Sequence, residues 1–217
     1  MNLQAVIFDM DGLLVDSEPK WDQARVDMAA RLGKEWGPED HKQVMGVSTE
    51  EWASYMRDKW ALELSPQEVA EQIVDQMRAY YREQIPFRDH AIQAVDLAAE
   101  HYTVALASGS ERSLIDIVVA SPELVGKFEA VVSADQVERG KPHPDVYLAA
   151  ATELGIAPEA CVCLEDSTYG ALSGMNAGMK VISVPDERFP VPQKVLDRVD
   201  RVLTSLAEFD LELLRSL

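Results

Sequence analysis

Short apolar runs separated by helical patterns constrain the fold of this chain more than any other feature. Most of the runs are unbroken and rich in β-branched residues or Leu, which is typical of strands covered on both faces. Alternating strands and helices predict an α/β fold, a Rossmann-like parallel sheet with helices on both faces and right-handed crossovers. The predicted strands are Ala5–Phe8, Val104–Ala107, Ala130–Val132, Val162–Leu164 and Val181–Val184, with Arg201–Leu203 as a candidate edge strand and a final helix containing Phe209, Leu213 and Leu214.

Residues 17–85 interrupt this alternation, because they contain no good strand pattern. The segments Ser48-Thr49-Glu50-Glu51 and Ser65-Pro66-Gln67-Glu68 are both typical of capping boxes at helix N-termini. The helix that follows the second box is predicted to bury one face, formed by Val69, Ile73, Met77 and Tyr80. We therefore predict an all-helical domain of residues 17–85 inserted into a core domain of residues 1–16 and 86–217, with Pro86 at the return.

The charge balance excludes some partners. The 217 residues include 20 Lys and Arg against 38 Asp and Glu, a net charge of −18. Nucleic acids and anionic membranes need clustered basic residues, so we expect neither as a partner, and the charge also favours a monomer. No apolar run approaches the ~18 residues of a membrane helix, and no secretory leader precedes Leu3. We expect a cytoplasmic protein, in which Cys161 and Cys163 are small buried residues rather than zinc ligands.

Polar residues follow the predicted strands where each strand ends. Asp9-Met10-Asp11-Gly12 follows the first, Ser108-Gly109-Ser110 the second and Glu165-Asp166-Ser167 the fourth, and Lys141 lies in the loop after the third. Because ligands bind at the carboxyl ends of the strands of an open parallel sheet, we expect these loops to meet. So many carboxylates in one cleft require a cation, and oxygen ligands without His or Cys favour Mg²⁺.

This set of groups predicts phosphate chemistry. A carboxylate, Mg²⁺, a Lys and helix N-termini together form a phosphate site. Since no His or Ser–His pair is available, the nucleophile would be a carboxylate that forms an acyl phosphate. Asp11 could donate a proton to the leaving oxygen and later accept one from water. Lys141 and Mg²⁺ would offset the charge of the transferring phosphoryl group.

The same residues resemble a known family, the haloacid dehalogenase superfamily of phosphotransferases. Four stretches carry the match over essentially the whole chain, namely Phe8–Gly12, Ala107–Ser110, Gly140–Asp145 and Leu164–Ser167. A helical cap after the first strand is similar to the subgroup of β-phosphoglucomutase and small phosphatases. The segment Gly12–Pro19 with Trp21 resembles bacterial phosphatases of 2-deoxyglucose-6-phosphate and hexitol phosphates.

The resemblance implies a role for each matching residue. It implies that Asp9 is the nucleophile and a Mg²⁺ ligand, and that Asp11 is the general acid/base whose backbone carbonyl also binds the metal. Asp166 would complete the metal site, with Glu165 as a ligand directly or through water. The residues implied to contact phosphate are Gly12, Ser108, Gly109, Ser110 and Lys141.

The sequence departs from the pattern of some family members, and three functions remain as hypotheses. Mutases usually carry a His where this chain has Trp21, and dehalogenases lack the second aspartate, Asp11. The return to the core reads Pro86-Phe87 instead of a Pro-Gly turn. A Mg²⁺-dependent phosphatase acting on small phosphorylated metabolites, such as sugar or sugar-alcohol phosphates, is the leading hypothesis. The alternatives are a phosphosugar mutase and a non-catalytic binding protein of the same fold.

Substrate choice is expected to come from the helical cap, which would close over the cleft and exclude water. Trp21 could equally belong to the core of the cap, and Lys20 could be a solvated charge. His143 is interpreted as a loop residue, because the mechanism already has an acid/base. The candidate contacts are Lys20, Trp21, Met45, Gly46, Thr49 and Glu51, with Arg112 from the core.

Overall fold

One sheet of six parallel strands organises the chain. The computed structural model describes residues 2–44 and 49–217. The strands stand in the order β3-β2-β1-β4-β5-β6. They are β1 Ala5–Phe8, β2 Thr103–Ser108, β3 Ala130–Ser133, β4 Cys161–Glu165, β5 Lys180–Ser183 and β6 Arg201–Val202. The predicted α/β fold with a parallel sheet is confirmed.

The first strand lies at the centre of the sheet, between β2 and β4. Phe8 is in register with Leu106 of β2 and Leu164 of β4, so the three parallel strands end within two residues of the same level. Neighbouring residues such as Val6 and Ile7 point to opposite faces and both are fully buried, which shows that both faces of the sheet are covered. The residues that follow β1, β2 and β4 are therefore brought to the same edge.

The chain divides into two compact units, residues 1–16 with 86–217 and residues 17–85. The described part of the second unit is helical, with α1 Glu18–Leu32, α2 Pro38–Val44, α3 Thr49–Trp60 and α4 Pro66–Glu83. Ser65 forms the predicted capping box with Glu68 at the start of α4. The helix buries Val69, Ile73 and Met77 as expected, but it is Tyr81 rather than Tyr80 that is fully buried. The other predicted box begins at Ser48, outside the described residues.

The described part of the first unit contains six α-helices. Cys161 and Cys163 are buried free thiols on β4, as predicted. Among the described residues no helix combines the length and apolar character needed to cross a bilayer. The helices are α5 Ala91–His101, α6 Arg112–Val119, α7 Asp145–Leu154, α8 Thr168–Asn176, α9 Gln193–Leu196 and α10 Leu211–Arg215.

Several strand boundaries and the start of the final helix differ from the expectation. The fifth strand runs from Lys180 to Ser183, so Val184 lies outside it. The predicted final helix was wrong to include Phe209, which has an extended backbone. The cause is Asp210, whose side chain accepts a hydrogen bond from the backbone N–H of Leu213 at 2.7 Å and begins a new helix there.

The two segments that connect the units are hydrogen-bonded to each other. The backbone N–H of Asp16 donates to the carbonyl of Pro86 at 2.8 Å, and that of Arg88 donates to the carbonyl of Leu14 at 2.9 Å. Both segments belong to the first unit, where they form a short antiparallel bridge.

A network of ion pairs ties this bridge to the loop after β5. Asp186, which is 5% exposed, accepts from Arg88 Nη1 at 2.6 Å and from Arg188 Nη2 at 2.5 Å. Arg188 Nη2 also donates to Asp16 at 2.5 Å. One charged residue from each connecting segment is thus held by the same loop.

Candidate active site

The loop after β1 presents two aspartates at the sheet edge. Asp9 is 5% exposed and its backbone N–H donates to the carbonyl of Leu164 at 3.1 Å, which fixes it to the end of β4. Gly12 has a φ of +82°, and a Cβ at that position would lie 2.0 Å from Oδ2 of Asp166. The loop therefore needs glycine for its backbone angle and for the space that the Asp166 carboxylate occupies.

Asp11 is held by the serines that follow β2. Its Oδ2 accepts a hydrogen bond from Ser110 Oγ at 2.6 Å and a longer one from Ser108 Oγ at 3.3 Å. Ser108 is fully buried and its Oγ also accepts from the backbone N–H of Ser110 at 3.0 Å. The other oxygen, Oδ1, is buried without a hydrogen-bond partner among the described residues. Asp11 is thus oriented through one oxygen, and the other has no protein donor.

Lys141 uses all its donors inside the site. Its Nζ donates to Oδ1 of Asp9 at 2.5 Å, to Oε1 of Glu165 at 2.6 Å and to the carbonyl of Ala107 at 3.1 Å. Burial by itself lowers the pKa of Lys141, but the charges of Asp9 and Glu165 outweigh it and raise that pKa above its usual range. Lys141 is therefore a fixed positive charge beside Asp9.

The carboxylates form a compact acidic cluster. Oxygens of Asp9, Glu165 and Asp166 all lie within 4.8 Å of one another. Burial, despite the opposing charge of Lys141, raises the pKa of Asp9, with further contributions from the neighbouring carboxylates. Burial and the adjacent Asp9 likewise raise the pKa of Asp166. Ionised carboxylates at this spacing are unfavourable unless a cation joins them, so the cluster fits a metal ion held by oxygen ligands.

A tyrosine that the sequence motifs do not single out also belongs to the site. Tyr147 on α7 is fully buried, and its hydroxyl donates to Oε1 of Glu165 at 2.6 Å. Lys141 Nζ lies 5.0 Å from the centroid of its ring. The available sequence signal is that a buried tyrosine hydroxyl usually needs a hydrogen-bond partner.

The structure thus brings together most of the predicted core residues, and the fold accounts for their positions. Hydrogen bonds join Asp11 to Ser108 and Ser110. A second set joins Lys141 to Asp9 and Glu165, and Asp166 lies in the acidic cluster with these two carboxylates. Gly109 lies between the two serines in sequence, and a Cβ there would meet no atom within 4 Å.

The cap candidates that the structure describes lie on helices of the second unit. Lys20 lies on α1 with its Nζ 5.3 Å from the ring centroid of Tyr80. The ring of Trp21 lies 6.2 Å from that of Trp52, so it contributes to packing within the helical unit. Thr49 and Glu51 begin α3, whereas Met45 and Gly46 lie outside the described residues.

Arg112 is hydrogen-bonded to other residues of the first unit. Its Nε donates to Asp116 at 2.7 Å and its Nη1 donates to the carbonyl of Val131 at 3.0 Å. These bonds give the side chain a structural role at the start of α6. A substrate contact from Arg112 stays a prediction.

Comparison with known proteins assigns the family. Residues 6–184 match the model of the haloacid dehalogenase-like hydrolases, which is most of the chain. The chain belongs to this family. Hexitol phosphatase B of Escherichia coli strain K12 is 37% identical over 211 residues, which cover 94% of this chain and 93% of that protein. The prediction of a haloacid dehalogenase-like hydrolase related to phosphatases is confirmed.

Two further comparisons agree with this family assignment. Fructose-1-phosphate phosphatase YqaB of Escherichia coli strain K12 is 28% identical over 182 residues, covering 82% of this chain and 95% of that protein. The crystal structure of CbbY from Rhodobacter sphaeroides in complex with phosphate matches with a TM-score of 0.86 at 24% identity, covering 99% of this chain and all of that one. At that identity the structural match supports the fold.

Proposed function

We propose that this hydrolase is a Mg²⁺-dependent phosphatase of small phosphorylated sugars or sugar alcohols that works through an aspartyl-phosphate on Asp9. The observation that carries the proposal is the pairing of Asp9 with Lys141 at 2.5 Å inside the acidic cluster, next to an Asp11 held by Ser110. The relationship to hexitol phosphatase B supports the choice of substrate class.

The metal would be held by oxygens at the end of the sheet. Asp9, Asp166 and the backbone carbonyl of Asp11 are the proposed ligands, with Glu165 binding directly or through water. When bound, Mg²⁺ would offset the negative charge that these carboxylates and the phosphoryl group bring together.

In the first step a carboxylate oxygen of Asp9 attacks phosphorus, and the bond from phosphorus to the leaving oxygen breaks. Asp11 in its protonated form donates that proton to the leaving oxygen, so the alcohol departs neutral. In the second step Asp11, now a carboxylate, accepts a proton from a water molecule that attacks phosphorus. The bond from phosphorus to Asp9 breaks, which releases phosphate and restores Asp9.

The phosphoryl oxygens are proposed to contact Lys141 and Ser108, and Gly12 would let the backbone of its loop approach them. Lys141 lies beside Asp9 and would stabilise the charge that these oxygens carry. We also propose that residues 17–85 serve as the substrate-selecting cap domain. Their proposed contacts to the non-phosphate part of the substrate are Lys20, Trp21 and Gly46.

Phosphate release across phosphorylated sugars, polyols, nucleotides and short acids, with Mg²⁺ and with EDTA, tests this function. We expect metal-dependent release concentrated on hexose or hexitol phosphates, abolished in Asp9→Asn and retained in the control Asp116→Asn. Asp116 is a half-exposed partner of Arg112 away from the acidic cluster. A folded protein that releases no phosphate from any compound would refute the proposal, and conversion of a sugar 1-phosphate to its 6-phosphate would favour the mutase.

A further inference from the structure

Tyr147 is the buried residue that touches both charged members of the lysine–glutamate pair. Its hydroxyl and Lys141 Nζ donate to the same oxygen, Oε1 of Glu165, each at 2.6 Å. We propose that Tyr147 is a positioning residue, which holds Glu165 in place as the counter-ion of Lys141 and as part of the metal cluster. The inference rests on the proposed function only where turnover is measured, because metal binding can be measured without substrate.

Hydrogen bonds to both carboxylate oxygens and the close approach of Gly170 hold the side chain of Glu165 in place. Oε1 accepts from Tyr147 and Lys141, and Oε2 accepts from Ser167 Oγ at 3.2 Å. A Cβ on Gly170 would lie 1.8 Å from Oε2, so the start of α8 leaves no space for the carboxylate to turn. A fully buried carboxylate needs these donors, and Tyr147 supplies the shorter of the two neutral hydrogen bonds.

The position of Glu165 in turn fixes the direction of Lys141. The ammonium group has three N–H bonds, and Asp9, Ala107 and Glu165 accept one each. A shift of the Glu165 carboxylate would therefore move one of three anchors of the charge beside Asp9. The hydroxyl of Tyr147 acts on Asp9 through three hydrogen bonds, by way of Glu165 and Lys141, without touching it.

Glu165 also links Tyr147 to the proposed metal site. Glu165 shares the cluster with Asp9 and Asp166, whose oxygens lie within 4.8 Å of its own. Residues that orient metal-binding carboxylates typically change metal affinity or activity by about 10–100-fold when they are replaced. Loss of the hydroxyl should therefore weaken Mg²⁺ binding even before a substrate is present.

Tyr147→Phe isolates this effect, because it removes the hydroxyl and keeps the ring that Lys141 contacts. Titration calorimetry with Mg²⁺ alone should give an affinity about 10-fold weaker than that of the unchanged protein. With a turned-over substrate, kcat should fall by a similar factor while KM changes less. Tyr102→Phe is the matched control, since Tyr102 lies at the end of α5 away from the cluster, and it should change neither quantity.

A Mg²⁺ affinity of Tyr147→Phe within twofold of the unchanged protein would overturn the inference, whatever happens to the melting temperature. So would a protein that is unfolded at the assay temperature, because the hydroxyl would then be required for folding rather than for positioning. Absence of Mg²⁺ binding by the unchanged protein would overturn it as well. If Mg²⁺ binds but no phosphate ester is hydrolysed, the proposed function fails while the affinity comparison still decides the role of Tyr147.

Discussion

Gly12 lacks a side chain at the point where the loop after β1 passes Asp166. Its φ of +82° disfavours any other residue, and a Cβ would lie 2.0 Å from the Asp166 carboxylate. Gly12→Ala should therefore displace a proposed metal ligand and lower kcat/KM by about 100-fold or more, the loss that ~1 Å of misplacement can cause. The left-handed backbone should cost about 1–2 kcal/mol of unfolding free energy as well.

Gly155→Ala separates these two effects. Gly155 has a φ of +67°, but a Cβ there would meet no atom within 4 Å. The control should lose a similar unfolding free energy in urea titrations and keep its phosphatase activity. Equal activity in the two variants would show that Asp166 does not need the space beside Gly12.

The start of α4 shows what a local sequence pattern contributes at the scale of one helix. Ser65 Oγ accepts a hydrogen bond from the backbone N–H of Glu68 at 3.2 Å. The Glu68 carboxylate accepts one from the backbone N–H of Ser65 at 2.8 Å. Ser65→Ala should lower the unfolding free energy by about 1 kcal/mol, whereas Ser65→Thr should keep most of it. Thermal unfolding of the three proteins checks this, and equal stability of Ser65→Ala would argue that the cap contributes nothing.

The ion-pair network beside the connecting segments makes stability depend on pH. Hydrogen bonds from Arg188, against the effect of burial and aided by Arg88, hold the pKa of Asp186 well below its usual range. A group whose pKa is lower in the folded state stabilises the fold above its unfolded pKa of about 3.9. That contribution is lost as the pH falls from there toward the folded pKa.

Asp186→Asn should therefore be less stable than the unchanged protein at pH 7, by about 1–3 kcal/mol. The difference should shrink when urea titrations are repeated below about pH 3, where the unfolded aspartate is protonated. Asp197→Asn, at the exposed end of α9, is the control and should change little at either pH. A stability difference that does not depend on pH would contradict the assignment to charge.

Across the whole molecule, the sheet was predictable because its strands are buried on both faces and read as apolar runs. Asp9, Ser108, Lys141 and Asp166 each follow a strand of this parallel sheet, and the carboxyl ends of parallel strands lie at one edge. Strand ends were less predictable, since one residue more or less changes the apolar pattern little. The break at Phe209 depended on Asp210, whose capping bond the apolar spacing does not reveal.

Contacts between distant loops could not be read from the chain. Ser110 was expected to contact phosphate, but its hydroxyl donates to Asp11, 99 residues away in sequence. The hydroxyl of Tyr147 reaches Glu165 because α7 packs on the sheet with that face inward, a fact of tertiary packing. Side-chain spacing gives the inward face of a helix but not the partner that a polar group on that face will find.

The most direct test of the account is whether phosphate becomes attached to Asp9. Asp11→Asn should slow the second step, and p-nitrophenyl phosphate needs little proton donation to its leaving group, so the acyl phosphate should accumulate. After acid quench of the reaction with phosphorus-labelled substrate, the account predicts label on the peptide that contains Asp9, removable with hydroxylamine. Label on another residue, or labelled free phosphate with no protein-bound label at any time, would contradict it.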